Sequence, residues 1–249
     1  NDGVPKMTQE IVKPGNSFLY KLDFPDEGIY WYHPHEREDY QQELGLYGNI
    51  LVEPKNANYY NTVNREEVLV LDDILVDAMG IAPFSNKVDH TLMGRFGNVM
   101  LVNGNEFIEL NAKKGEVIRF YLTNTANTRL IRFIIPGAKM KLIGSDGGAY
   151  EKENLVDAII LAPSKRAILE VYFEKPGTYE IKNSNPLHEY TLGKIIVSQE
   201  KISQDFSSEF LKLHENQEVQ QEIDPLRSSF DKPVPESLTA VSTSSSNKY

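Results

Sequence analysis

His33 and His35 are the residues in this sequence best equipped for chemistry. They stand two apart in "GIYWYHPHEREDYQQELGLYG" (28–48), an aromatic stretch that reads as a strand. On a strand, residues i and i+2 project from one face, so the two imidazoles would lie side by side. Imidazole nitrogen suits copper, zinc, iron and nickel. The same spacing also fits two partly exposed histidines with no ligand role. The chain has five histidines in all, and spacing alone leaves both readings open. There is no cysteine, which removes disulfides, thiolate zinc sites and thiol nucleophiles together.

Short alternating or β-branched runs would have to position this pair. They include "SFLYKLDF" (17–24), "GIYWYHPH" (28–35), "YGNILVEP" (47–54), "EEVLVLDDILVD" (66–77), "NVMLVNG" (98–104) and "EVIRFYLTNT" (116–125). They continue through "RLIRFIIP" (129–136), "KMKLIGSDGG" (139–148), "DAIILAP" (157–163), "AILEVYFE" (167–174), "GTYEIKNS" (177–184) and "TLGKIIVSQ" (191–199). Strands at roughly ten-residue spacing with turn residues between them mark an all-β sandwich of antiparallel character. No convincing amphipathic helix occurs before residue 205. A seam falls at "EPKNANYYNTVNRE" (53–66), where Asn, Pro and charged residues separate two apolar runs. About four strands precede it, too few for a closed sandwich, while residues 66–199 hold enough for a complete one. From about Glu200 the chain turns polar and ends in a Ser/Thr run, which reads as a linker or tail with one short helix around 205–215. The expected organisation is therefore 1–54, part of a first domain; 55–200, a whole second domain; and 201–249, a linker.

Composition narrows the function classes. The net charge of -10, with no Lys/Arg stripe, argues against a nucleic-acid partner. No apolar run is long enough to span a bilayer, and "NDGVPKMTQ" is no secretory leader. No N-x-[ST] sequon is present. The Gly pair in "LIGSDGGAY" lacks the following Lys-Ser/Thr of a phosphate cradle, so it reads as a β-turn. Met79, Met93, Met100 and Met140 are dispersed and read as core packing rather than a cuprous-ion site. "EREDYQQE" (36–43) reads as a solvated loop. His90, His188 and His214 stand outside any ligand motif and read as surface or loop histidines, His188 beside acidic Glu189.

Three segments in order carry a family resemblance. "DEGIYWYHPHEREDYQQELGLYGNILVEP" resembles the second His-x-His segment of the multicopper oxidases, the family of laccases and bacterial copper-efflux oxidases. Upstream, "NDGVPKMTQEIVKPGNSFLYKLDF" is similar to the family's D-G-V/T-P-x-x-T-Q-x-x-I-x-P-G-x-S-F-x-Y-x-F. Downstream, "FGNVMLVNGNEFIELNAKKGEVIRFYLTNTANTRLIRFIIPGAKMKLIGSDGGAYEKENLVDAIILAPSKRAILEVYF" is similar to its second cupredoxin domain, through L-V-N-G, I-G-x-D-G-G and L-A-P-x-E-R. The resemblance covers residues 1–184 nearly continuously.

It implies cupredoxin-like Greek-key sandwiches, one partial (1–54) and one complete (55–200), followed by a linker (201–249) toward a third domain. It implies that His33 and His35 are ligands to the paired type 3 coppers of a trinuclear cluster that reduces dioxygen to water. Asp2 falls where the family places an acidic residue close to that cluster, thought to supply protons. Four protons are consumed per dioxygen, so a carboxylate wired to the cluster has a physical task. The bland reading of Asp2 is a turn residue before Gly3. The family's other ligands lie in an H-W-H-G segment expected before Asn1 and in H-P-x-H-x-H and H-C-H-x-x-x-H segments of a third domain. Without cysteine, the type 1 (blue) copper has no site in this chain. The expectation is thus an internal segment of a longer oxidase, inactive by itself. Its partners would be dioxygen, a reducing substrate (phenol, amine or metal ion) and the rest of the same polypeptide. The resemblance implies a periplasmic, cell-surface or secreted location. The alternatives are a non-enzymatic interaction module on the cupredoxin scaffold, and a copper-binding protein whose half-site is completed by oligomerisation.

Overall fold

A computed structural model describes residues 3–84 and 87–230. Strands β1 (Gly28–Tyr32) and β2 (Gly48–Val52) form an antiparallel hairpin bridged by helix α1 (Glu38–Glu43). There follow β3 (Arg65–Ile74), the short pair β4 (Val76–Asp77) and β5 (Gly80–Ile81), helix α2 (Lys87–Met93), β6 (Val99–Val102), β7 (Ile108–Lys114) and β8 (Val117–Asn124). The chain continues with β9 (Ile131–Ile134), β10 (Lys139–Ser145), β11 (Gly148–Val156), β12 (Ile159–Leu161), β13 (Arg166–Tyr172), β14 (Gly177–Ser184) and β15 (Glu189–Lys201). Helices α3 (Ser207–Leu211) and α4 (Gln217–Phe230) close it.

Two sheets face each other. One has six strands in the order β11-β10-β13-β8-β3-β6, the other five in the order β12-β9-β14-β15-β7. Most pairings are antiparallel, as alternation and short turns require. Two are parallel, β3 with β8 and β7 with β15, and each is reached by a long excursion of the chain rather than a hairpin. The core between the sheets is built from the inward row of each strand: Ile118, Phe120 and Leu122 from β8 and Leu169 and Val171 from β13 on one side, and Phe133 from β9, Ile181 from β14, and Ile195 and Val197 from β15 on the other.

β8 is buried on both faces along its whole length. Its inward residues join the core, and its outward residues are covered by other parts of the chain. Arg119 meets a row of charges, Tyr121 joins Ile29, Ile143 and Ile168 in a second apolar cluster, and Thr123 receives a hydrogen bond from Asn49 on β2 (2.8 Å). The β1–β2 hairpin therefore lies flat on the outer face of the six-stranded sheet. That contact is close because of two glycines. A Cβ on Gly28 would fall 2.8 Å from the Gly148 nitrogen, and one on Gly148 would fall 2.9 Å from the Glu27 carbonyl oxygen; both residues have positive φ (+135° and +104°). The Gly pair of "SDGG" is thus a backbone crossing point as well as a turn.

Several sequence expectations need correction. "SFLYKLDF" has the alternation of a strand but forms none, and Leu19 is 82% exposed. Alternation specifies a face, whereas a strand also needs a neighbour for its amides, and this segment has no paired partner among the described residues. "EREDYQQE" is not a loop throughout, since Glu38–Glu43 is helical. α2 is a second helix before residue 205. Strands β7 and β11 were not anticipated, because their alternating faces carry Glu, Lys and Asn rather than apolar residues. Met100 and Met140 are core residues, but Met79 and Met93 are 94% and 75% exposed, so for those two the packing reading fails. After Glu200, the short helix anticipated at 205–215 is α3, and its Phe210 is 1% exposed beneath the six-stranded sheet. The polar stretch read as linker also forms a second and longer helix, α4, which was not anticipated.

Candidate metal centre

β1 ends at Tyr32, so His33-Pro34-His35 is the extended exit from the strand rather than part of its ladder. The i, i+2 parity nevertheless persists through the exit. The Trp31 and His33 rings are stacked, with centroids 4.2 Å apart and planes 18° from parallel. The His35 ring follows at 4.8 Å from His33, tilted by 49°. Three aromatic rings from alternate positions thus form one row. Ile29, two residues earlier on the same face, is fully buried against the six-stranded sheet and anchors that row.

After His35 the chain turns sharply. Arg37 adopts a left-handed conformation (φ 47°, ψ 51°) at the start of α1, and its guanidinium donates to Asp39 through Nε (3.0 Å) and a terminal nitrogen (3.2 Å). The turn brings Glu38 back toward the histidines, with Glu38 Oε1 3.0 Å from His33 Nδ1. The approach is close but not aligned as a hydrogen bond, so Nδ1 is a buried nitrogen without an aligned partner. Burial lowers the His33 pKa below that of an ordinary histidine, while the Glu38 charge pulls it upward. A lowered pKa favours the neutral imidazole, the form that binds metal.

α1 is locked onto the sandwich at both ends. Gln42 donates to the Thr125 carbonyl oxygen at 2.6 Å, Asn127 donates to the Asp39 carbonyl oxygen at 3.0 Å, and Glu43 faces Arg95 at 3.1 Å. Around Glu43 lies a buried cluster. Arg129 pairs with Asp73 at 2.6 Å, and the Tyr47 hydroxyl donates to Asp72 at 2.6 Å. Desolvation, only partly offset by Tyr47, raises the Asp72 pKa to about 7. The loop that presents the histidines is therefore held at one end by β1 and at the other by α1.

Of the residues singled out from sequence, the structure brings His33 and His35 together. Asp2 lies outside the described residues. Among the described residues no group of three or more His, Cys, Asp or Glu is placed to hold a metal ion, so His90, His188 and His214 do not join the pair. His188 and His214 are exposed. Sequence reasoning missed Trp31, which the same two-residue parity could have found. It also missed Glu38, which no spacing rule could find, because its approach depends on the left-handed turn at Arg37.

A multicopper oxidase family profile matches residues 31–200, more than half of the chain, and a second multicopper oxidase profile matches residues 1–57. The chain belongs to the multicopper oxidase family. A multicopper oxidase of Staphylococcus aureus is 29% identical over 185 residues, covering 70% of this chain and 39% of that protein. One of Mycobacterium tuberculosis is 29% identical over 196 residues, covering 66% and 37%. Among solved structures, a multicopper oxidase from Pseudomonas thermotolerans superposes with a TM-score of 0.71 at 31% identity, covering 80% of this chain and 48% of that one. The chain spans 26–39% of the first curated relatives it matches. Family membership implies copper as the cofactor. The residues present fit copper: two imidazoles follow one another in one row, and burial suppresses the basicity of His33. No helix among the described residues is long and apolar enough to cross a membrane.

Proposed function

We propose that this chain is part of a copper oxidase that couples one-electron oxidation of a phenol, amine or metal ion to reduction of dioxygen to water. His33 and His35 supply two ligands to the type 3 copper pair of a trinuclear cluster, and the type 1 site belongs to another part of the full-length protein. Residues 1–54 contribute to a first cupredoxin domain, 55–200 form the second, and 201–249 lead toward a third. The remaining ligands come from the rest of the same polypeptide, and the location is periplasmic, cell-surface or secreted.

The observation that carries this reading is the Trp31–His33–His35 ring row, held between a strand anchored by buried Ile29 and a docked helix. When bound, copper supplies the electron transfer to dioxygen. The protein's task is to hold neutral imidazoles in fixed directions and to deliver protons. Trp31 fixes the plane of His33, α1 fixes the loop, and Asp2 is the residue assigned to proton supply.

In the full-length protein, His33→Ala and His35→Ala should each abolish the near-ultraviolet absorption of the coupled copper pair, together with oxygen consumption. A retained band at unchanged turnover would remove the residue from the ligand list. Asp2→Asn should slow oxygen turnover while leaving copper content nearly intact, whereas loss of copper would assign Asp2 a structural role.

A further inference from the structure

We propose that Glu38 is the positioning residue that holds His33 with Nδ1 protonated and Nε2 free to accept a metal. This rests on the reading of His33 as a ligand and adds what selects its ligating nitrogen. The stack on Trp31, at 4.2 Å and 18°, fixes the plane of the His33 ring. Stacking is indifferent to a half-turn about the Cβ–Cγ bond, which exchanges Nδ1 with a carbon. A carboxylate is not indifferent. With Glu38 Oε1 3.0 Å from Nδ1, the favoured ring orientation turns an N–H toward the carboxylate. A bare Nδ1 lone pair would be repelled there. Once Nδ1 carries the proton of the neutral ring, Nε2 holds the lone pair.

The two side chains have the mobility this requires. His33 is 17% exposed and Glu38 49%, so the imidazole is confined while the carboxylate can turn into line. Glu38 is also delivered to its place by the tertiary structure. It sits at the start of α1, directly after the left-handed Arg37, and α1 is fixed to the sandwich through Gln42 and Glu43. His35 has no ion-pair partner among the described residues, so the selection acts on one histidine of the pair and leaves the other as an internal control.

The test is ring-nitrogen NMR on the metal-free chain, with the His33 signals assigned by their loss in His33→Ala. In the unsubstituted chain His33 should be in the Nδ1–H form. Glu38→Ala should shift it toward the Nε2–H form with His35 unchanged, and Glu38→Gln, whose amide oxygen still accepts, should restore the Nδ1–H form. Zinc ion titrated into the same chains should bind about 10–100-fold more weakly to Glu38→Ala, with most of the loss recovered in Glu38→Gln. An Nε2–H His33 in the unsubstituted chain, or a tautomer indifferent to Glu38→Ala, overturns the assignment. Zinc binding unchanged in His33→Ala overturns the ligand reading instead, whatever the tautomer, so the two failures are distinguishable.

Discussion

Two charge clusters lie on either side of the β1–β2 hairpin, and each sets three carboxylates against two cations. All of these residues are buried except Glu66, which lies exposed at the edge of its cluster. In the lower cluster Glu66, Arg119, Glu170 and Lys141 occupy neighbouring positions across β3, β8, β13 and β10, so signs alternate along one row. Arg119 bridges Glu66 (2.5 Å) and Glu170 (3.1 Å), while Lys141 bridges Glu170 (3.1 Å) and Glu153 (2.9 Å). Every carboxylate touches a cation. Tyr60 covers Arg119 at 4.9 Å, and Phe210 from α3 covers Lys141 at 5.3 Å. In the upper cluster, beside the histidine loop, Glu43 has Arg95 and Asp73 has Arg129, but among the described residues Asp72 has only the Tyr47 hydroxyl and the Asp73 amide. The balance of charges is the same in both, and the arrangement differs. A cation shared between two carboxylates serves both; a carboxylate left to neutral donors keeps its desolvation penalty and holds its proton to about pH 7.

The largest expected effect comes from breaking the lower row. Glu170→Ala leaves Arg119 and Lys141 buried against each other and should cost about 3–5 kcal/mol in urea unfolding. If adding Lys141→Met to Glu170→Ala recovers none of the loss, the row is held by packing rather than by charge.

The upper cluster should show its difference as pH dependence. The folded state holds the Asp72 proton more tightly than the unfolded chain, whose ordinary value is 3.8, so this contribution is fully present below about pH 4 and is lost as pH rises through about 7. The span is on the order of 4 kcal/mol at most. Asp72→Asn keeps an acceptor for Tyr47 and should flatten the stability profile between pH 4 and 8, leaving the variant more stable than the parent above pH 7. An unchanged slope would show that Asp72 is not the group responsible.

Phe210→Ala tests whether the lid on the lower row matters. It should cost about 3 kcal/mol by loss of buried area and by admitting water to Lys141. The smallest effect serves as the control: Lys139 and Glu174 pair at 3.1 Å with both side chains exposed, so Lys139→Ala should change stability by less than about 0.5 kcal/mol. A larger loss there would mean that burial is not what separates these clusters from ordinary surface pairs.

Much of the sandwich was legible because one face of each core strand is a continuous apolar row. Ile118, Phe120 and Leu122, or Leu169 and Val171, announce their face by parity alone. The opposite face of the same strands was not legible. Arg119, Lys141 and Glu170 look like solvated residues in sequence, and they are buried only because residues 59–62 and 206–214 cover them from far along the chain. The histidine pair was legible through its spacing and through the family motif around it. Its supports were not, since Trp31 read as one more strand aromatic and Glu38 as part of a loop.

By itself, then, the sequence determined the β character, the inward rows of the core strands and the placing of His33 and His35 on one side of the chain. Each follows from local geometry, where side chains alternate at every residue. Only the tertiary structure decided that "EREDYQQE" becomes a docked helix, that Glu38 turns back to His33, and that two sets of charged residues are buried, one neutralised throughout and one not. The return of Glu38 depends on the left-handed turn at Arg37 and on the docking of α1. The buried charges depend on segments distant in sequence meeting over one sheet face, where removal of water sets the strength of every charge.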